Sequence, residues 1–263
     1  MISDPVGDPS ILDHDLAKYF PNLLRFESTR EMEASELYAR IRHEVERILN
    51  GVVGEDLSVP PAGGDSPAQS ETVWENPVAP APGSDKNPPA TAGGTNKIRA
   101  LAWNIERGNI FEGIVDALRT HDQLKDKDVL LLTELDYGMA RSGNRFVARE
   151  IAERFKLNYA FAPVYIALQK GSGVESESEG ENTKSIHGLA TFSKWPMKNV
   201  HAVPLPNGKD KMWGKEKRLG HLRALIADIQ HPTGDFRAVT VHLDAHCSRA
   251  HRQLQMRIIL DHL

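Results

Sequence analysis

Residues 97–135 read KIRALAWNIERGNIFEGIVDALRTHDQLKDKDVLLLTEL, and this stretch decides the fold class. Two short runs of β-forming residues, Ile98 to Asn104 and Asp128 to Thr133, flank a segment from Phe111 to His121 whose apolar residues recur at helical spacing. Strand, amphipathic helix, strand is the pattern of a βαβ unit, in which the crossover helix covers one face of a sheet. Downstream, Gly143 to Phe155 predicts a second helix with Phe146, Ile151 and Phe155 near one side, followed by strands at Tyr159 to Leu168 and His187 to Ser193. The next strands, His201 to Pro204, His221 to Gln230 and Phe236 to Leu243, come without helices between them, as antiparallel strands do. Ser248 to Leu263 reads as a last helix with Leu254, Ile258, Leu260 and Leu263 apolar. The expectation is a mixed α/β or α+β protein.

Upstream the character changes. Residues 60–94 hold 8 of the 16 prolines and 5 glycines with almost no apolar periodicity, which describes a disordered tether. Before it, Ser28 with Glu31 forms a capping-box signal, and Met32, Leu37, Tyr38, Ile41, Val45 and Ile48 fall on one helical face ending at Asn50-Gly51. The division expected is a segment 1–59 with an amphipathic helix over 29–50, a Pro/Gly-rich linker 60–96 and a module 97–263. The helix is a surface for a partner or for self-association, or it packs back on the module, and the tether permits either.

The 263 residues are 40% hydrophobic and 26% charged with a net charge of −4, which excludes disorder throughout, collagen and a supercharged nucleic-acid packer. The longest apolar runs, such as Val129 to Leu132, match a strand and fall far short of the roughly 18 residues that cross a bilayer. The acidic start, Met1-Ile2-Ser3-Asp4-Pro5, shows no secretory signal, so a cytoplasmic chain is expected. A single cysteine, Cys247, excludes an intramolecular disulfide and a thiolate zinc finger. Residues 1–96 carry a net −9 and residues 97–263 a net +5, a mild pull toward phosphate-bearing ligands. Lys209 to Arg218 interleaves Trp213 with five cations and reads as a solvated loop or an anion-facing surface; Gly171 to Glu181, acidic and of low complexity, reads as a mobile surface insertion.

Polar residues recur just past strand C-termini: Asn104 after Leu101-Ala102-Trp103, Glu134 after Leu130 to Thr133, and His242 after Ala238 to Val241. Ligands of α/β sheets gather at such ends, so an amide, a carboxylate and an imidazole distant in sequence converge. A carboxylate and an amide oxygen suit Mg²⁺, which keeps waters and phosphate oxygens among its ligands.

On these residues the chain resembles the endonuclease/exonuclease/phosphatase superfamily. Trp103-Asn104 is similar to its first motif, Thr133-Glu134-Leu135 to its metal-binding glutamate, and His187 to Pro196 to its G-x-A-x-x-S-x-x-P strand and turn. Val241-His242-Leu243-Asp244-Ala245, with Arg249 and Gln253, resembles its histidine motif and the helix after it. The resemblance covers residues 98–263 and implies the N-terminal part of a four-layer α/β/β/α sandwich that hydrolyses phosphate esters (a nucleic acid, lipid headgroup or sugar phosphate) with Mg²⁺ or Mn²⁺. It implies that Glu134 binds the metal, that Asn104 adds to metal or phosphate positioning, and that His242 stabilises the phosphoryl oxygens. Arg107 and Arg141 lie near the motifs as further phosphate contacts.

The family's later Gly-Asp-x-Asn and Ser-Asp-His motifs, implied to orient or activate the attacking water, are absent; Asp261-His262 is only a dipeptide echo on a helix. The expectation is therefore an incomplete, inactive or nearly inactive phosphodiesterase module, and the alternative is a noncatalytic interaction protein built on a degenerate one. A histidine metal site from His242, His246 and His251 has no strong spacing template, Cys247 beside His246 lacks an orienting third group, and no Gly-x-Ser-x-Gly elbow exists.

Overall fold

The computed structural model describes residues 7–55 and 97–263, so the Pro/Gly-rich stretch expected as a linker, 60–96, lies outside the described residues. The quoted stretch folds as read. β2 (Ala100–Arg107) pairs in parallel with β3 (Val129–Tyr137), and α4 (Phe111–Thr120) connects them. After α5 (Val147–Phe155) come β4 (Asn158–Ala167) and β5 (Ile186–Ser193), both antiparallel to their neighbours, and β1 (Val53–Glu55) closes the edge of the sheet in the order β1-β4-β5-β3-β2. β7 (Arg218–Gly220) pairs with β4 beyond β1. The helix-free run of sequence supplies a second, antiparallel sheet in the order β6-β8-β9, from Met197–Pro204, Arg223–Ile229 and Phe236–Val241. With α1 (Phe20–Leu23), α2 (Thr29–Glu33), α3 (Glu36–Asn50) and α6 (Arg249–Leu260), the described residues form a mixed α/β protein with six helices and two sheets, one of them mixed and six-stranded.

Both faces of the larger sheet are covered, and this explains why all ten residues of β4 are buried. Tyr159, Phe161 and Phe192 pack with Ile114, Val115 and Leu118 of α4 and Val147 and Ile151 of α5. On the other face Ala160, Ala162 and Leu189 meet Ala224 and Leu225 of β8 and Ile259 of α6. The small alanines let the two sheets approach, and the buried hydroxyls of Thr191 and Thr240 satisfy each other across the gap at 2.7 Å. Among the described residues no helix is long and apolar enough to cross a membrane.

The expected N-terminal helix differs in one respect, and of the two destinations left open for its apolar face it takes the second. It is broken after Glu33, because the Ser35 hydroxyl donates to the Met32 carbonyl and accepts from the Tyr38 N–H at 3.1 Å, ending one helix and capping the next. Its apolar face is also covered within the chain: Ile41, Val45, Ile48 and Leu49 belong to the same buried cluster as Tyr159 and Phe161. Described residues of the N-terminal segment thus share one buried cluster with the large sheet. Lys217, read as part of a solvated basic run, is buried and donates to the Leu24 and Phe26 carbonyls at 2.9 and 2.6 Å, while Asp210 accepts from the Thr29 N–H at 2.9 Å.

Candidate functional site

Three strands of the large sheet shift register at one level, and these shifts build the site. β2 shifts between Asn104 and Arg107, β3 between Thr133 and Leu135, and β4 between Pro163 and Tyr165. Along β3, Leu130 and Leu132 enter the helix-side core, so strict alternation would drive Glu134 into it as well. The bulge adds a residue at that point, Leu135 takes the core position, and Glu134 is released to the other face. Glu134 adopts φ 59°, in the left-handed region that favours glycine, which costs about 1–2 kcal/mol that its neighbours must offset. The shift in β4 does the same for Tyr165, which leaves the face of Tyr159 and Phe161 and joins the inter-sheet cluster.

The released side chains line a cavity of about 380 Å³ together with Asn104 and His242. The Asn104 amide nitrogen donates to Glu134 Oε1 at 2.9 Å, and its oxygen accepts from the Glu106 N–H at 3.0 Å. Those two bonds fix the amide's orientation. His242 Nδ1 lies 3.9 Å from the same carboxylate oxygen, and Arg107 lies 3.6 Å from Glu134 Oε2. The sequence-predicted trio of Asn104, Glu134 and His242 is therefore brought together from β2, β3 and the end of β9. Burial works to raise the Glu134 carboxyl, but the Asn104 hydrogen bond and the charges of His187, Arg107 and His242 outweigh it and hold the group below the ordinary carboxylate range.

Four further lining residues were not singled out for this cavity by sequence: His187, Tyr165, Lys211 and Arg218. His187 Nδ1 is 2.8 Å from Asp136 Oδ1, and Asp136 is fully buried. Burial works to raise the Asp136 carboxyl, yet hydrogen bonds from His187 and Arg141 hold it low. Lys211 and Arg218 stand 5.6 and 5.3 Å from the centre of the Tyr165 ring. Burial favours the uncharged form of Lys211 and lowers its pKa, with Asp244 opposing at 3.7 Å. The one available signal was periodicity: Asp136 lies two residues beyond Glu134 on the same strand.

The expected phosphate contacts are both committed to carboxylates. Arg141 is 2% exposed at its side chain and contacts Asp136 at 2.8 Å, Glu216 at 3.0 Å and Glu175 at 3.2 Å. Arg107 pairs with Glu134 and, at 3.0 Å, with Glu175. Glu175 belongs to the acidic segment expected to be a mobile insertion. That segment instead forms a 3-10 turn over Gly173–Glu177 held by Arg107, Arg141 and the Lys170 ammonium, which donates to the Ser178 carbonyl at 2.9 Å. Low complexity removed apolar anchoring, and ion pairs supply the anchoring in its place.

The three-histidine set does not converge. His251 Nε2 donates to the Pro206 carbonyl at 3.0 Å, and His246 lines the same cavity as His242. What clusters instead is Asp244, Cys247 and His251, whose ligand-type atoms lie within 4.8 Å of one another, a potential metal-binding triad. Asp261-His262 ends α6, where His262 bonds back to the Ile258 carbonyl, apart from the cavity. No protein-family model matches the chain, and no curated protein matches it.

Proposed function

We propose that this chain carries a metal-dependent phosphate-ester hydrolase site of the endonuclease/exonuclease/phosphatase type. The observation that carries the reading is the convergence of Asn104 and Glu134, each at a register shift, with His242 at the end of β9, on one cavity that also holds Lys211 and Arg218. The two stacked sheets, with α4 and α5 on the outer side of the larger one, support the α/β/β part of a four-layer α/β/β/α sandwich. Glu134, ionised at neutral pH, suits Mg²⁺ or Mn²⁺, which accept one protein carboxylate and complete their shell with water and phosphate oxygens. Such a metal supplies neutralisation of the phosphoryl oxygens.

Each residue then has a task. Asn104 orients the Glu134 carboxylate, since both ends of its amide are engaged. His242 donates to a phosphoryl oxygen, and Lys211 with Arg218 attracts the anionic substrate. Asp136 holds His187 by Nδ1 and leaves Nε2 as the nitrogen that meets a ligand or accepts a proton from water. Full-length chain assayed on bis(p-nitrophenyl) phosphate, with Mg²⁺ binding followed by calorimetry, tests the reading. Metal binding that Glu134→Ala removes, with slow metal-dependent turnover, is expected. Absence of both turnover and Glu134-dependent metal binding refutes it.

A second reading, a noncatalytic module that binds an anionic or protein partner, has one specific observation in its favour. Among the described residues no second carboxylate joins Glu134 in a three-ligand cluster. Metal-dependent binding of phosphate without turnover would select it.

A further inference from the structure

A second and larger cavity of about 450 Å³, which shares Arg218 with that site, lies between the N-terminal helices and the strands β7 and β8, walled by Tyr38, Asn50, His221 and Arg223. Arg223 is 4% exposed, and its one hydrogen bond among the described residues goes to the Asn50 amide oxygen at 2.9 Å. Its buried Nε has no acceptor, and no described carboxylate pairs with it. This contrasts with Arg141, which is as deeply buried and has three carboxylates around it.

A guanidinium stays charged at any physiological pH, and burying a charge without a counterion costs several kcal/mol. Burial alone pulls Arg223 down to about 10, with no neighbouring carboxylate to oppose it. The cavity beside Arg223 admits an acceptor that would pair with it. Arg218, which also pairs with Glu216 at 2.5 Å, adds a second cation to the wall, while Glu33 and Glu46 stand on the helical side, where Arg42 already pairs with Glu46 at 2.6 Å. That distribution rejects a polyanion and suits one compact oxyanion group. A guanidinium fork matches carboxylate and phosphate oxygens bidentately.

We infer that the cavity between α2–α3 and β7–β8 is a binding site for a small ligand bearing a single oxyanion group, a carboxylate or a phosphate monoester, received by Arg223. The inference does not depend on the proposed hydrolase site. To keep the two cavities apart, the full chain carrying Asn104→Ala and His242→Ala is titrated by calorimetry at constant ionic strength, with inorganic phosphate in one arm and acetate in the other. Saturable binding is expected in at least one arm. Phosphate alone identifies a phosphate monoester, acetate alone a carboxylate, and binding of both supports the shared oxyanion chemistry. Adding Arg223→Met weakens that binding about tenfold or more, the range of one lost charge-assisted contact. It also raises the melting temperature of the ligand-free chain, because the unpaired charge is gone. If Arg223→Met does not fold, Arg223→Lys retains the charge without the fork and still weakens binding. No saturable heat in either arm, or affinity unchanged by both substitutions at 223, overturns the inference.

Discussion

Replacing Arg141 by Met tests the account of how the site is held. The guanidinium is 2% exposed and contacts Asp136, Glu216 and Glu175, whose side chains are 0%, 6% and 20% exposed. Met preserves much of the packing volume but takes the guanidinium from two buried carboxylates, leaving Asp136 with His187 and Glu216 with Arg218, a loss of up to about 3–5 kcal/mol rather than the ~1 kcal/mol or less of a surface pair. With an m-value of roughly 2–3 kcal/mol/M, a loss of about 4 kcal/mol lowers the urea midpoint by about 1.3–2 M at neutral pH. The pH dependence has a definite sign. In the native chain burial works to raise Asp136 and Glu216, but hydrogen bonds and charges from His187, Arg141 and Arg218 hold both below their ordinary values. Depressed carboxylates contribute stability above their unfolded pKa of about 4, and that stability is lost as pH falls through the folded values. In Arg141→Met burial is less opposed and the carboxyls move upward, so protonation favours folding and the gap between variant and native chain narrows from pH 7 toward pH 4. Urea melts at pH 7, 5.5 and 4 read this directly. A loss below ~1 kcal/mol at pH 7, or a gap that widens on acidification, refutes the buried-network reasoning.

Two other substitutions probe the frame around the cavity. Gly188→Ala places a Cβ 2.4 Å from the Ala162 carbonyl oxygen and 2.6 Å from the Phe161 ring, both in a close-packed sheet, so a loss of about 1–3 kcal/mol is expected in denaturant melts. Thr191→Val leaves the Thr240 hydroxyl buried without its 2.7 Å partner and costs about 1–3 kcal/mol, whereas Thr191→Val with Thr240→Val recovers most of it, a coupling that a double-mutant cycle measures.

The linear pattern around residues 97–135 was sufficient to place a parallel strand pair, its crossover helix, and the later antiparallel strands, because side-chain periodicity is a local property of the backbone. It also marked Asn104, Glu134 and His242, because a polar residue closing an apolar run stands out in one dimension. What periodicity misplaces is Glu134 itself: read by strict alternation it faces the helices, and only a register shift against β5 turns it into the cavity. A register shift is a relation between two strands and leaves no mark in either alone. The same limit applies to His187 and Asp136, whose partnership is 51 residues long, and to Glu175, whose segment is ordered by arginines 34 and 68 residues earlier. Helix 36–50 carried a readable apolar face, but its destination, the sheet of its own chain, depends on strands far along the sequence. Composition and periodicity thus marked most of the elements and three residues that line one cavity. Which faces meet, which charges are paired and which guanidinium is left without a carboxylate were decided by tertiary packing, because desolvation and ion pairing depend on neighbours brought from distant parts of the chain.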